Sequence, residues 1–399
     1  MLELLVPALG AKAELPSTIA SVAAVSLYQD GDAIDEVEEV TPPLLIEASY
    51  TTDILSNISG GIDGGSEYID NLDVIIDADL DSLIGLKGTS VHIHGLYNNG
   101  SSFTSLVGDR QGVSNIETGV EAVRLYEAWI SQEISPTASV KFGLYDLNSE
   151  FDALDASGLF IGSAHGIGTE FAQSGANGPS IFPITSLAVR LEFEPAQNWK
   201  LRAAILDAVP GDIMRPKQTA VKLNEKDGAL LVAEIETPLP NGKLLWGHWR
   251  YTAPQEMLTG STATANKGFY LRGEASLFLE DDESQGLDGF FRMGTADERF
   301  SYFDRFLSGG LTYTGLFSGR DEDQFGVAFA SAFISKGQRQ ISAGSDLEMA
   351  MELTYRGALT PWLTLQPSIH YIVNPGANPA VDNSLVFGLR AEFSFAFFD

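Results

Sequence analysis

The chain has no cysteine among its 399 residues, so it can form no disulfide, thiolate nucleophile or cysteine-ligated zinc site. It is also short of positive charge: 24 Lys and Arg stand against 54 Asp and Glu, a formal net charge of -30, with no basic cluster anywhere. A phosphate backbone needs a basic patch, so nucleic acid is excluded as a partner. No run approaches the ~20 apolar residues that a membrane helix needs, which rules out a helical membrane protein. A membrane β-barrel stays open, because alternating strands average to near-neutral hydropathy, and the mean hydropathy here is +0.03.

What the sequence does contain is alternation. In SLVFGLRAEFSFAFFD, at the end of the chain, Leu385, Phe387, Leu389, Ala391, Phe393, Phe395 and Phe397 share one face, while Arg390, Glu392 and Ser394 share the other. Such a strand meets two solvents. Leu187, Val189, Leu191 and Phe193 likewise oppose Arg190, Glu192 and Glu194, and Leu271, Gly273, Ala275 and Leu277 oppose Arg272, Glu274 and Ser276. Leu363, Leu365, Ile369 and Tyr371 oppose Thr364, Gln366, Ser368 and His370.

Segments of this kind are expected over 44–52, 69–79, 88–98, 120–134, 138–148, 186–194, 199–207, 227–237, 243–252, 267–279, 287–294, 306–316, 325–334, 345–358, 362–373 and 384–397. They number about 16, an even count, and most approach the ~9–11 residues with which a tilted strand crosses a bilayer. Their connections alternate in length. Turns at ISPTA, PAQN, PLPNG and Thr360-Pro361 are tight, whereas 99–119, 149–185, 208–226 and 253–266 are long. A soluble sandwich has no reason to keep that parity; an outer-membrane barrel has short turns inside the cell envelope and long loops outside. The apolar face is therefore expected to point outward into hydrocarbon. Since every backbone N–H and C=O at bilayer depth must be paired, the sheet has to close on itself. Trp129, Trp199, Tyr251, Trp362, Tyr371 and Phe397 lie near segment ends, where interfacial girdles belong.

The N-terminus reads as three parts. LELLVPALG followed by Ala11-Lys12-Ala13 is an apolar stretch with an A-x-A pattern, expected to be a secretory signal (1–13) that lacks its basic n-region. Residues 14–43 form an acidic lead-in, and 44–399 the barrel.

GDRQGVSNIETGVEAVRLYEAWISQ (108–132), KFGLYDLNSEFD (141–152), FPITSLAVRLEFEP (182–195), LTYTGLFSGRDEDQFGVAFA (311–330) and LTYRGALTPWLTLQPSIHYIVNPG (353–376) carry a resemblance to the carbohydrate-selective porin family, the OprB-like outer-membrane channels. The resemblance implies an all-β, closed antiparallel transmembrane barrel of 16 strands through which sugars and small hydrophilic solutes diffuse passively across the bacterial outer membrane, with no cofactor. Oligomeric state stays open between monomer and trimer. The alternatives are a general, cation-preferring porin and an outer-membrane barrel enzyme acting on lipids. No G-x-S-x-G elbow occurs, and nothing pairs a particular Ser with a particular His, so no catalytic residue is assigned.

A sugar channel needs a constriction whose charged and amide groups exchange hydrogen bonds with hydroxyls. The segment Glu150 to Thr185, rich in Gly, Ser and Asn and carrying Phe151, Phe160 and Phe171, is expected to fold into the lumen. Within the matching motifs Asp109, Arg110, Gln111, Glu117, Arg124, Asp146 and Glu150 are expected to line the constriction or anchor the loops. Arg190, Arg272, Glu274, Arg390 and Glu392 are expected to line the general lumen, solvated by water. His92 and His94 share a strand face and can bind metal, but no third ligand is identifiable, so lumen-facing histidines are expected and no metal site is assigned. Asp281-Asp282-Glu283 and Asp321-Glu322-Asp323 read as solvated turns rather than calcium loops.

Overall fold

The structure, a computed structural model, describes residues 42–263, 266–280, 284–342 and 344–398. The apolar N-terminal stretch, nearly all of the acidic lead-in and the Asp281-Asp282-Glu283 run lie outside the described residues.

The alternating segments become β1 (Leu44–Gly61), β2 (Gly65–Asp79), β3 (Thr89–Asn98), β4 (Ala122–Ser135), β5 (Ala138–Tyr145), β6 (Ser186–Ala196), β7 (Trp199–Asp207), β8 (Ala229–Leu239), β9 (Gly242–Tyr251), β12 (Lys267–Leu279), β13 (Gly286–Ala296), β14 (Phe303–Thr314), β15 (Gln324–Ile334), β16 (Leu347–Thr360), β17 (Leu363–Val373) and β18 (Asp382–Phe398). These 16 strands pair antiparallel in chain order and close into one barrel. The short β10 (Gln255–Glu256) and β11 (Thr262–Ala263) form a separate hairpin within the connection between β9 and β12. The seam pairs β1 with β18 from Leu45↔Phe398 to Gly61↔Asp382, so the last strand completes the ladder that the first begins.

The residues that alternate in sequence now take opposite sides. Leu191, Phe193, Phe269, Leu277, Ile369, Phe387, Leu389, Phe395 and Phe397 are exposed on the outside, whereas Arg190, Arg272, Gln366, His370 and Arg390 are buried within. So continuous an apolar belt is far larger than the exposed patches of soluble proteins; it suits hydrocarbon. Trp199, Trp362 and Tyr371 stand on this outer surface. Trp129 and Tyr251 do not belong to a girdle. Trp129 stacks on His92 at 4.8 Å and Tyr251 is buried in the lumen, because each falls on the inward phase of its strand.

The first hairpin runs longer than its hydropathy pattern. The expected strands 44–52 and 69–79 extend to Gly61 and from Gly65, paired in register as far as Asn57↔Gly65. Asp53 and Asn57 read as loop residues, but they sit on the inner face, where Asp53 meets Arg390 and Asn57 meets Ser384.

Candidate functional site

Three apolar clusters draw the connection between β5 and β6 into the barrel, and a fourth, around Phe103, Val107, Val113 and Ile116, does the same for the connection between β3 and β4. Asp146 caps the 3-10 turn Leu147–Ser149 through Oδ1, which accepts from Asn148 N at 2.8 Å. Phe151 and Phe171 then bury completely against Leu206, Leu230, Trp249, Tyr251 and Tyr270, and Phe171 stacks on Trp249 at 4.9 Å. Phe160 packs on Phe290 and His165. The expected infolding of this segment is thus what the structure has, and its three phenylalanines are what make it favourable: fully burying one such side chain is worth about 1.5–3 kcal/mol.

Acidic wall residues hold the same segment by its backbone. Glu234 accepts from Asp152 N at 3.0 Å, Glu274 from Ala156 N at 2.8 Å, and Glu352 from Ile161 N and Gly162 N at 2.8 and 2.9 Å. Glu348 does the same for the connection between β3 and β4, accepting from Arg110 N and Gln111 N at 3.0 Å each, and also from Gly376 N at 2.5 Å. At the centre Arg292 makes a double fork: Nε and Nη2 donate to Asp152 at 2.8 and 2.6 Å, while Nη1 and Nη2 donate to Glu170 at 3.1 and 2.8 Å. Burial pushes the Glu170 carboxyl up and Arg292 opposes that shift. Two glycines make this approach possible: a Cβ on Gly168 would stand 1.7 Å from Arg292 Nη1, and one on Gly294 would stand 1.8 Å from Glu170 Oε1.

The residues singled out in the sequence fall into place around these anchors. Gln111 is buried, its Nε2 donating to Glu348 O. Asp109 accepts from Gly112 N at 2.8 Å; burial, with Glu348 and Glu117 close by, pushes its carboxyl up to about 8. Glu117 accepts from Ser102 Oγ and Thr104 N inside its own loop. Arg124 donates to Pro216 O at 2.8 Å, tying down the connection between β7 and β8. Asp146 donates its own N–H to Glu127, and burial followed by Glu127 pushes its carboxyl up to about 7. Glu150 accepts from Lys141, Arg190 and Tyr145; burial alone would raise its carboxyl, but Lys141 and Arg190 hold it well below the usual range. Arg110 differs from all of these: its side chain is exposed, and its guanidinium lies over the Tyr302 ring at 3.9 Å.

Arg190, Arg272, Glu274, Arg390 and Glu392 all face inward, but water is not what solvates most of them. Arg190 pairs with Glu150, Arg272 with Asp152 at 3.3 Å, Glu274 with Lys243 at 3.0 Å, and Arg390 with Asp53 at 2.7 Å. The infolded segments cover the arginines, so carboxylates supply what water would have supplied. Glu392 stays partly exposed, 3.5 Å from Arg356. Asp323 belongs to a turn cluster with Arg320 and Tyr355. His92 and His94 gain a neighbour that no sequence spacing announces: β3 and β4 pair in a register that sets His94 opposite Glu127.

Sequence reasoning missed Asp152, Glu170, Arg292, Glu234, Glu348 and Glu352. For the strand residues Glu234, Arg292, Glu348 and Glu352 the signal was phase: Arg292 lies between the outward Phe291 and Met293, and Glu348 and Glu352 repeat on one face of β16, whereas Asp152 and Glu170 lie in the connection and have no such pattern. Among the polar side chains that stay exposed on the infolded segments are Arg110, Gln173, which donates to Arg110 O at 2.7 Å, and Asn115, which accepts from Arg390.

Comparison with known proteins agrees with this architecture. Porin B of Pseudomonas aeruginosa is 25% identical over 402 residues, covering 87% of this chain and 86% of that protein. A putative porin, QuiX, of Acinetobacter baylyi is 22% identical, covering 87% and 89%. Among solved structures, the high-pH structure of Pseudomonas putida OprB superposes with a TM-score of 0.77 at 19% identity, covering 88% of this chain and 94% of that one. The family model "Carbohydrate-selective porin, OprB family" matches residues 63–395, and the chain, an outer-membrane β-barrel, belongs to that family.

Proposed function

We propose that this barrel lets carbohydrates and other small hydrophilic solutes diffuse passively across the outer membrane, and that its selectivity lies where the infolded segments narrow the lumen. The observation that carries the reading is the division of labour among inner polar groups. Asp109, Gln111, Glu117, Arg124, Asp146 and Glu150 spend their hydrogen bonds on loops and wall, whereas Arg110, Gln173 and Asn115 keep capacity for a solute. A planar guanidinium and two amides offer donors and acceptors spaced for hydroxyls, and the Tyr302 ring beneath Arg110 keeps that guanidinium extended. The outer apolar belt meets lipid hydrocarbon. No step needs a cofactor or an energy source.

The test is conductance of the reconstituted chain in a planar bilayer, titrated with glucose and with maltooligosaccharides. A selective channel shows saturable block; current that falls only with bulk viscosity makes the protein a sugar-indifferent porin.

A further inference from the structure

We propose that His92, His94 and Glu127 form a binding site for a divalent transition-metal cation of the zinc type on the inner wall of β3 and β4, separate from the solute-contacting groups. A ring nitrogen from each histidine and a carboxylate oxygen from Glu127 lie within 4.8 Å of one another. His92 is the strongest indication. Its Nδ1 lies 2.7 Å from Asp77 Oδ1, and because a carboxylate can only accept, Nδ1 is a protonated nitrogen, so in the neutral ring the lone pair open to a metal is that of Nε2. That Nε2 is buried with no hydrogen-bond partner, in a residue only 2% exposed. It points toward Glu127 Oε2 at 3.7 Å, too far for a hydrogen bond and close to the roughly 3.4 Å that separates two ligand atoms on one tetrahedral zinc.

The surroundings complete the pattern. Asp77 behind His92, and Asp73 at 2.8 Å from His94 Nε2, are the carboxylate–histidine pairs that orient metal-binding imidazoles. Glu127 Oε1 is engaged by Asp146 N at 2.9 Å and Trp129 Nε1 at 3.2 Å, which fixes the carboxylate and leaves Oε2 facing His92. Asp73, Asp77 and Glu127 bring three carboxylates to this patch. The nearby cation, Lys141, is committed to Glu150 at 2.9 Å and to the Trp129 ring at 3.8 Å. A dication would meet both needs, the unused lone pair and the surplus negative charge. Two imidazoles with one carboxylate favour zinc, cobalt, nickel or copper over calcium or magnesium. The His94 side chain keeps 12% of its surface exposed, which gives the cation a way in from the lumen.

The experiment uses the full chain, purified in detergent and stripped with a chelator, then titrated with Co2+ while its visible ligand-field bands are followed. One saturating equivalent, displaced by Zn2+, is expected. Glu127→Gln keeps the amide oxygen that Asp146 N and Trp129 Nε1 need, so the barrel should assemble, yet affinity should fall at least tenfold; His92→Gln should do the same. Asp77→Asn acts through His92 and should weaken binding about 10- to 100-fold. His248→Gln, at a ring held by Gly268 O and the Phe269 face, is the control and should bind as the parent does. Absence of a saturable equivalent, or binding that survives both Glu127→Gln and His92→Gln in folded protein, overturns the site.

Discussion

Replacing Arg292 by methionine removes the centre of the lumen anchor while keeping much of its volume. Asp152 is fully buried and Glu170 is 1% exposed, so the variant takes the shared counter-ion from two carboxylates, leaving Asp152 with the longer Arg272 contact at 3.3 Å and Glu170 without its guanidinium partner. Breaking one buried pair this way typically costs about 3–5 kcal/mol, which is roughly a 10²- to 10³-fold or larger shift of the seated segment toward release. The barrel should survive, since no ladder hydrogen bond passes through the Arg292 side chain and β13 keeps its pairings to β12 and β14. The expected result is a larger, noisier single-channel current together with proteolytic cleavage within 146–185 added from the outer side. Arg292→Lys, which keeps the charge but loses the fork, should fall between parent and methionine variant. Acid should soften the effect, because a protonated Glu170 needs no counter-ion and burial already pushes that carboxyl up. Current and protease protection indistinguishable from the parent would refute the idea that ionic anchoring holds the segment in place.

Three further outcomes are expected. Asp109 has its carboxyl raised to about 8 in the folded loop against an ordinary 3.8, so the folded state holds a proton that the unfolded state has released; stability should decline as pH rises from about 4 toward 8, and Asp109→Asn should flatten that slope in thermal unfolding followed across pH. Arg110→Ala should leave folding unchanged and weaken sugar block by roughly 5- to 30-fold, the equivalent of about 1–2 kcal/mol, read from current titrations. Leu191→Arg, mid-strand on the outer face of β6, should destabilise the barrel by about 2–4 kcal/mol in urea unfolding from lipid vesicles; an unaltered midpoint would mean that this face does not meet hydrocarbon.

Much of the fold was legible because the bilayer imposes one simple rule. Outward positions must be apolar on every strand, so the period-2 pattern in 187–194 or 384–397 survives without any help from packing detail. It failed where the strand leaves that environment: Asp53 and Asn57 belong to β1, yet look like loop because their partners are polar groups inside the barrel. The infolding of 150–185 was legible from its length and its phenylalanines. Its anchors were not, since Asp152 and Arg292 are 140 residues apart and meet only through closure of the sheet. The same holds for Glu127 beside His92, which depends on the register of β3 and β4.

Glu234, Glu274, Glu348 and Glu352 grip the inner segments by main-chain N–H groups. A peptide amide is the same whatever residue carries it, proline excepted. Most side chains along those segments can therefore drift without loosening their grip, so descendants of this protein can retune what passes while leaving the mounting untouched.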